Sequence, residues 1–114
     1  MGLLDRLLRR DPSVLPHSVP AKRAFDLIQD GAVLVDVREV SEWRSGHAPQ
    51  ARHISLARLP SEAGRLRKDV PVVVMCASGV RSRSGAAQLR SMGYQATSLS
   101  GGIAAWRSAG GAVK

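Results

Sequence analysis

Val70-Pro71-Val72-Val73-Val74-Met75-Cys76-Ala77-Ser78-Gly79-Val80-Arg81-Ser82 is the stretch from which the rest of the chain can be read. An apolar run over 70–75 meets the single cysteine, and a stretch of helical character over 82–92 follows. The order is strand, tight loop, helix, with a thiol at the strand's end. A loop that opens a helix turns several backbone N–H groups toward one point and adds the positive end of the helix dipole. Arg81 adds a full positive charge to the same loop. A cysteine facing such a cradle is held as thiolate, the nucleophilic form. A cysteine that ends a core strand can instead be a small buried hydrophobe. Here the residues after it are small, flexible or cationic, which suits anion binding and does not suit core filling.

Working outward, the flanking segments alternate between strand and helix. Ser18-Val19-Pro20 reads as a brief strand and a helix start, with Pro20 near the first helical position. Residues 21–29 carry Ala24, Phe25, Leu27 and Ile28 at helical spacing, and Gly31 suits the C-terminal cap. Residues 32–37 form a nearly continuous apolar run, the mark of a strand buried on both faces. Its one charge, Asp36, falls at the C-terminal end, the edge where sites form in open parallel sheets. A short helix over 39–45 is ended by Gly46-His47-Ala48-Pro49, and His53-Ile54-Ser55-Leu56 reads as a second short strand. Residues 57–68 read as loop and helix. Downstream, Gly93 stops the helix over 82–92, 94–99 is a last strand, and Gly101-Gly102 turns into a helix over 103–109. Strict alternation predicts an α/β fold with a mostly parallel sheet covered on both faces.

Composition narrows the function. The 114 residues are one domain's worth, with 44% hydrophobic content for a single core. Phe25, Trp43, Tyr94 and Trp106 are the only aromatics, so that core must rest on aliphatic residues. One cysteine rules out an internal disulfide and leaves no resolving thiol in the chain. A reactive free thiol fits a reducing compartment, so a cytoplasmic location is expected. The net charge of +8 raises the question of nucleic acid. The arginines do not interleave with aromatics and no nucleic-acid-binding signature appears, so a field that attracts small anions is the better use of the charge. No stretch approaches a membrane span. Residues 1–17 read as an N-terminal amphipathic or flexible segment, with Leu3, Leu4, Leu7 and Leu8 on one helical face, and 18–114 as the domain. The segment is too charged for a secretory signal. It reads as packed on its own domain or frayed, with docking on a membrane surface or partner as the alternative.

Four segments in order carry a family resemblance: Leu34-Val35-Asp36-Val37-Arg38-Glu39 with Glu42-Trp43; Gly46-His47-Ala48-Pro49-Gln50-Ala51-Arg52-His53-Ile54; Cys76-Ala77-Ser78-Gly79-Val80-Arg81-Ser82; and Leu99-Ser100-Gly101-Gly102-Ile103-Ala104-Ala105-Trp106. Together they resemble the rhodanese-like, single-domain sulfurtransferase family across residues 18–111. Gln50, where a glycine is more usual, and Val80, at a variable loop position, are the departures. The resemblance implies a five-stranded, mostly parallel sheet flanked by helices on both faces. It implies Cys76 as nucleophile, with the N–H groups of Ala77, Ser78, Gly79, Val80, Arg81 and Ser82 as the cradle and Arg81 helping to hold the anion. A donor such as thiosulfate leaves its outer sulfur on the cysteine as a persulfide, which a thiol or cyanide, or a protein acceptor, then removes. No cofactor or metal is implied.

Asp36 and Arg38, two apart with opposite charges near the catalytic edge, read as pairing with the loop or with Glu42 and holding its shape, with direct catalysis as the alternative. Arg44, Arg52 and Arg83 read as solvated surface arginines, with a place around the entrance as the alternative. His47 and His53 have no thiol or carboxylate at metal-ligand spacing and read as structural. Two rivals remain. A cysteine phosphatase or arsenate reductase uses the same kind of loop, but with one residue more between cysteine and arginine than the four found here, and commonly a histidine where Met75 stands. A persulfide relay that delivers sulfur to a protein partner, with little turnover of free thiosulfate, would carry the same loop.

Overall fold

The computed structural model describes residues 15–114; the predicted leucine face of the N-terminal segment lies outside the described residues. Five strands form one sheet: β1 (Ser18–Val19), β2 (Val33–Asp36), β3 (Arg52–His53), β4 (Val72–Met75) and β5 (Ala96–Leu99). Their order across the sheet is β1-β5-β4-β2-β3 and every pairing is parallel. The helices are α1 (Ala21–Gln29), α2 (Val40–Ser45), α3 (Leu59–Glu62), α4 (Val80–Ser91) and α5 (Gly102–Ser108).

The all-apolar β4 and the largely apolar β2 lie inside the sheet, where both of their faces are covered. Val35, Val72 and Val74 pack on one face against Ala86 and Leu89 of α4 and Leu59 of α3. Leu34, Val73 and Met75 point the other way, against Ala21, Ala24 and Leu27 of α1 and Trp106 of α5. In α1 the three buried positions recur every third residue, which keeps one stripe on the sheet. Register brings the chemistry to one edge: Asp36 pairs with Met75, the residue before Cys76, and Val74 pairs with Ser98.

Several element boundaries differ from the sequence reading, and those with a physical reason follow. α4 begins at Val80 instead of residue 82, because Gly79 caps it with φ +105° and lets the chain turn straight from loop to helix. The strand read at 53–56 is the pair Arg52–His53. The backbone still follows β2, with Ile54 N donating to Asp36 O and Leu56 N to Val37 O, but a 3-10 turn at Leu56–Arg58 then takes over. Residues 57–68 hold one short helix, α3, between two 3-10 turns, with Pro60 in its first turn. β5 starts at Ala96 because Tyr94 is held outside the sheet: its N–H closes the end of α4 on Leu89 O, and its hydroxyl donates to Ala63 O at 2.6 Å.

Candidate active site

Cys76 leaves the central strand β4 at the C-terminal edge of the sheet and is fully buried. Its sulfur faces the start of α4. The Gly79 N–H donates to Sγ at 3.0 Å, and Ser82 Oγ lies 3.4 Å from it. Burial pushes the thiol up, but the Ser82 hydroxyl and the N–H groups of Ser82, Gly79 and Ser78 outweigh it, and the net shift is downward. The donors that act on the sulfur are thus a subset of the segment 77–82 read from the sequence. Ala77 serves differently: its carbonyl packs on Gly102, while Cys76 O accepts the Ile103 N–H at 2.9 Å.

Behind Ser82 stands a residue that the sequence reading missed. Ser98 of β5 is fully buried, and its Oγ lies 2.7 Å from Ser82 Oγ. When the Ser98 hydroxyl donates to Ser82, the single Ser82 proton is left for the sulfur. The available signal was a serine just before Leu99 near the C-terminal end of a predicted strand, the edge where Asp36 also falls. Alkylation rate of Cys76 against pH is expected to rise through a midpoint below the free-thiol value of about 8.5. Ser98→Ala should move that midpoint upward by less than about one pH unit, the scale of one net hydrogen bond. A native midpoint at or above the free value would contradict the cradle.

Arg81, expected to help hold the anion, is engaged by a carboxylate. Its Nη1 and Nη2 donate to Glu42 Oε1 and Oε2 at 2.6 and 2.9 Å, so its charge is matched by a carboxylate rather than offered wholly to a ligand. The Arg81 hydrogen bonds hold the Glu42 carboxyl down to about 2. Glu42 is fixed at its other side too, since Oε1 accepts the Glu39 N–H in the capping box that starts α2. A carboxyl lowered in the fold adds stability that is present above the ordinary value near 4.5 and is lost as pH falls toward about 2. The pair is therefore intact throughout the neutral range, and as a part-exposed pair it contributes about 1 kcal/mol at most.

Asp36 and Arg38, expected to pair with the loop or with Glu42, bond chiefly to each other as a buried pair, because both sit at the end of β2 where the Arg38 side chain folds back onto the carboxylate. Arg38 Nη2 and Nε donate to Asp36 Oδ2 at 2.8 and 3.0 Å, and the Arg38 N–H donates to Oδ1 at 3.0 Å. The guanidinium also donates to Gly46 O at 2.7 Å and Glu42 O at 3.3 Å, so it ties the end of β2 to the end of α2. It reaches the backbone of Glu42, and Arg81 takes the carboxylate. His47 and His53 stack on the same Trp43, at ring distances of 3.6 and 4.9 Å, and each donates to a backbone carbonyl, of Trp43 and Arg38 respectively.

Among the described residues, two hollows near this edge are relevant. One of about 370 Å³ lies beside α2 and α3; Glu39 and Glu62 are among its walls and no residue of the Cys76 loop is. The other, about 200 Å³, is walled by Ser78, Gly79 and Val80 of that loop together with Ser18, Arg83, Ser98, Ser100 and Gly101.

Comparison with known proteins gives a consistent result. The family model described as rhodanese-like domain matches residues 21–109. A thiosulfate sulfurtransferase GlpE of Pseudomonas savastanoi pv. phaseolicola is 36% identical over 90 residues, which span 78% of this chain and 85% of that protein. The protein of that name from Pseudomonas fluorescens is also 36% identical over 90 residues, 78% of this chain and 83% of that protein. Among solved structures, a rhodanese-related protein from Thermoplasma volcanium superposes with a TM-score of 0.79 at 27% identity, covering 87% of this chain and 98% of that one.

Proposed function

The chain belongs to the rhodanese-like domain family, and on that premise we propose that it is a sulfurtransferase that carries sulfane sulfur on Cys76. The observation that carries this reading is the buried sulfur turned toward three backbone N–H groups and a hydroxyl at the start of a 12-residue helix. Such donors favour a thiolate, and they are equally suited to the terminal sulfur of a persulfide anion. The thiolate attacks the outer sulfur of thiosulfate. The new Cys–S bond forms as the S–S bond of the donor breaks, and sulfite leaves with the electron pair. Cyanide or a thiolate then attacks the outer persulfide sulfur, and Cys76 recovers its thiolate with no change in charge. Asp36, Arg38 and Glu42 act by holding the loop's surroundings in place, and Arg81 joins that scaffold through Glu42.

A protein acceptor is favoured by one further observation. Val80, 74% exposed on the loop, puts an apolar side chain at the rim where an acceptor would land. Delivery to a protein and turnover of free thiosulfate share the persulfide.

Loop size separates this reading from phosphate chemistry. With four residues between Cys76 and Arg81, and with Arg81 held by Glu42, the ring is small and its arginine is occupied. Thiocyanate formation from thiosulfate and cyanide is expected, while aryl phosphate hydrolysis stays at the uncatalysed level. Misplaced donors cost roughly 3 kcal/mol each in transition-state stabilisation. Cys76-dependent release of phosphate from an aryl phosphate would overturn the assignment.

A further inference from the structure

Ser98 and Ser82 form a chain of two hydroxyls that ends on the sulfur. Ser98 Oγ lies 2.7 Å from Ser82 Oγ, which lies 3.4 Å from Cys76 Sγ, and both serines are fully buried. Among the described residues, Ser82 is the hydrogen-bond partner of the Ser98 hydroxyl. If Ser82 donated to Ser98, the buried Ser98 proton would have no acceptor among them and a thiolate sulfur would lose a donor. The favoured direction is therefore Ser98 to Ser82 to sulfur. Ser98 is fixed on β5, which pairs with β4, while Ser82 sits in the first turn of α4. The chain thus ties the Ser82 hydroxyl to the cysteine's own sulfur, where the Gly79 N–H also arrives at 3.0 Å.

Charge on that atom changes in opposite directions in the two halves of sulfur transfer. In loading, thiolate Sγ attacks the outer sulfur of the donor, and negative charge leaves Sγ as the new S–S bond forms. In discharge, the acceptor attacks the outer persulfide sulfur, the S–S bond breaks, and its electron pair returns to Sγ. A hydroxyl held on Sγ binds more strongly as discharge proceeds and more weakly as loading proceeds.

We propose that Ser98 is a positioning residue that, through Ser82, stabilises Cys76 Sγ as the leaving group when the persulfide is discharged. The inference rests on the sulfurtransferase reading for its two half-reactions, and each can be timed alone. Loading from thiosulfate is followed by intact mass, at a pH well above each protein's Cys76 alkylation midpoint so that the thiol is ionised throughout. Discharge is followed as thiocyanate formed when cyanide meets the loaded protein. Ser98→Ala is expected to slow discharge about fivefold, the scale of one net hydrogen bond, and to leave loading within about twofold. Ser98→Thr should restore most of the discharge rate, since it keeps the hydroxyl and the hollow of about 200 Å³ beside it leaves room for a methyl group. Ser82→Ala should slow discharge at least as much, and adding Ser98→Ala to it should cost nothing further, because Ser98 acts only through Ser82. A purely structural role would instead slow both half-reactions and add to the Ser82→Ala loss. Equal slowing of both, discharge at the native rate in Ser98→Ala, or additive losses would overturn the assignment. A native protein that loads from no sulfane donor would overturn the sulfurtransferase reading instead. The direction of the hydroxyl chain is then decided by the alkylation midpoint, which Ser98→Ala should raise when Ser82 is present and leave unmoved in Ser82→Ala.

Discussion

Intact protein incubated with thiosulfate gains one sulfur atom, about 32 mass units, and the Cys76→Ser protein gains none. The expectation is all-or-none for two reasons. Cys76 is the only cysteine of the chain, so no other thiol can take the sulfur. A serine hydroxyl in its place remains protonated near neutral pH, and the donors that hold a thiolate cannot make it a comparable nucleophile. Serine is the informative replacement because it is nearly isosteric, leaving the Gly79 and Ser82 donors and the packing of β4 in place. Cyanide added to the loaded native protein should return the mass to its starting value and release one equivalent of thiocyanate. Mass gain in Cys76→Ser would move the chemistry elsewhere, and a native protein that loads from no sulfane donor would end the sulfur-transfer reading.

How much of this was legible before the structure depended on how far apart the partners lie in the chain. β4, its loop and the helix after it were readable because the apolar run, the small residues and the helical stretch are contiguous. Asp36 and Arg38 were legible as structural charges at one strand end, but not as each other's partner, since the fold-back of Arg38 onto Asp36 is set by the backbone at the end of β2. The partner of Arg81 was not legible either, since Glu42 is 39 positions away and is brought to it only by the parallel order of β2 and β4. Ser98 was missed for the same reason: its hydroxyl meets Ser82 across the pairing of β5 with β4. The start of α4 was misjudged by two residues because it turns on the backbone conformation of Gly79. Local pattern thus found the nucleophile, while the groups that position or flank it are set by the sheet.

Gly102→Ala should be the most damaging single-methyl change near the site. Gly102 has φ +62°, and a Cβ there would overlap the carbonyl of Ala77 and stand 2.6 Å from Cys76 O. Both obstacles are backbone of the Cys76 loop and cannot rotate aside as a side chain would. Relief requires α5 to back away from the loop, which breaks the 2.9 Å hydrogen bond from Ile103 N to Cys76 O. The left-handed conformation costs an alanine about 1 kcal/mol or more, and overpacking adds about 1–3 kcal/mol. Together these should lower the melting temperature by about 10 °C or more in a domain of this size. What survives at low temperature should load sulfur slowly, because the N–H groups that face Cys76 belong to the same loop that has been displaced. Gly64→Ala is the matched control: that glycine has no heavy atom within 4 Å of the added Cβ and no positive φ, and the change should stay within about 0.5 kcal/mol of native. A Gly102→Ala protein that melts and loads like the native one would mean that the contact between α5 and the loop does not hold the cradle in shape.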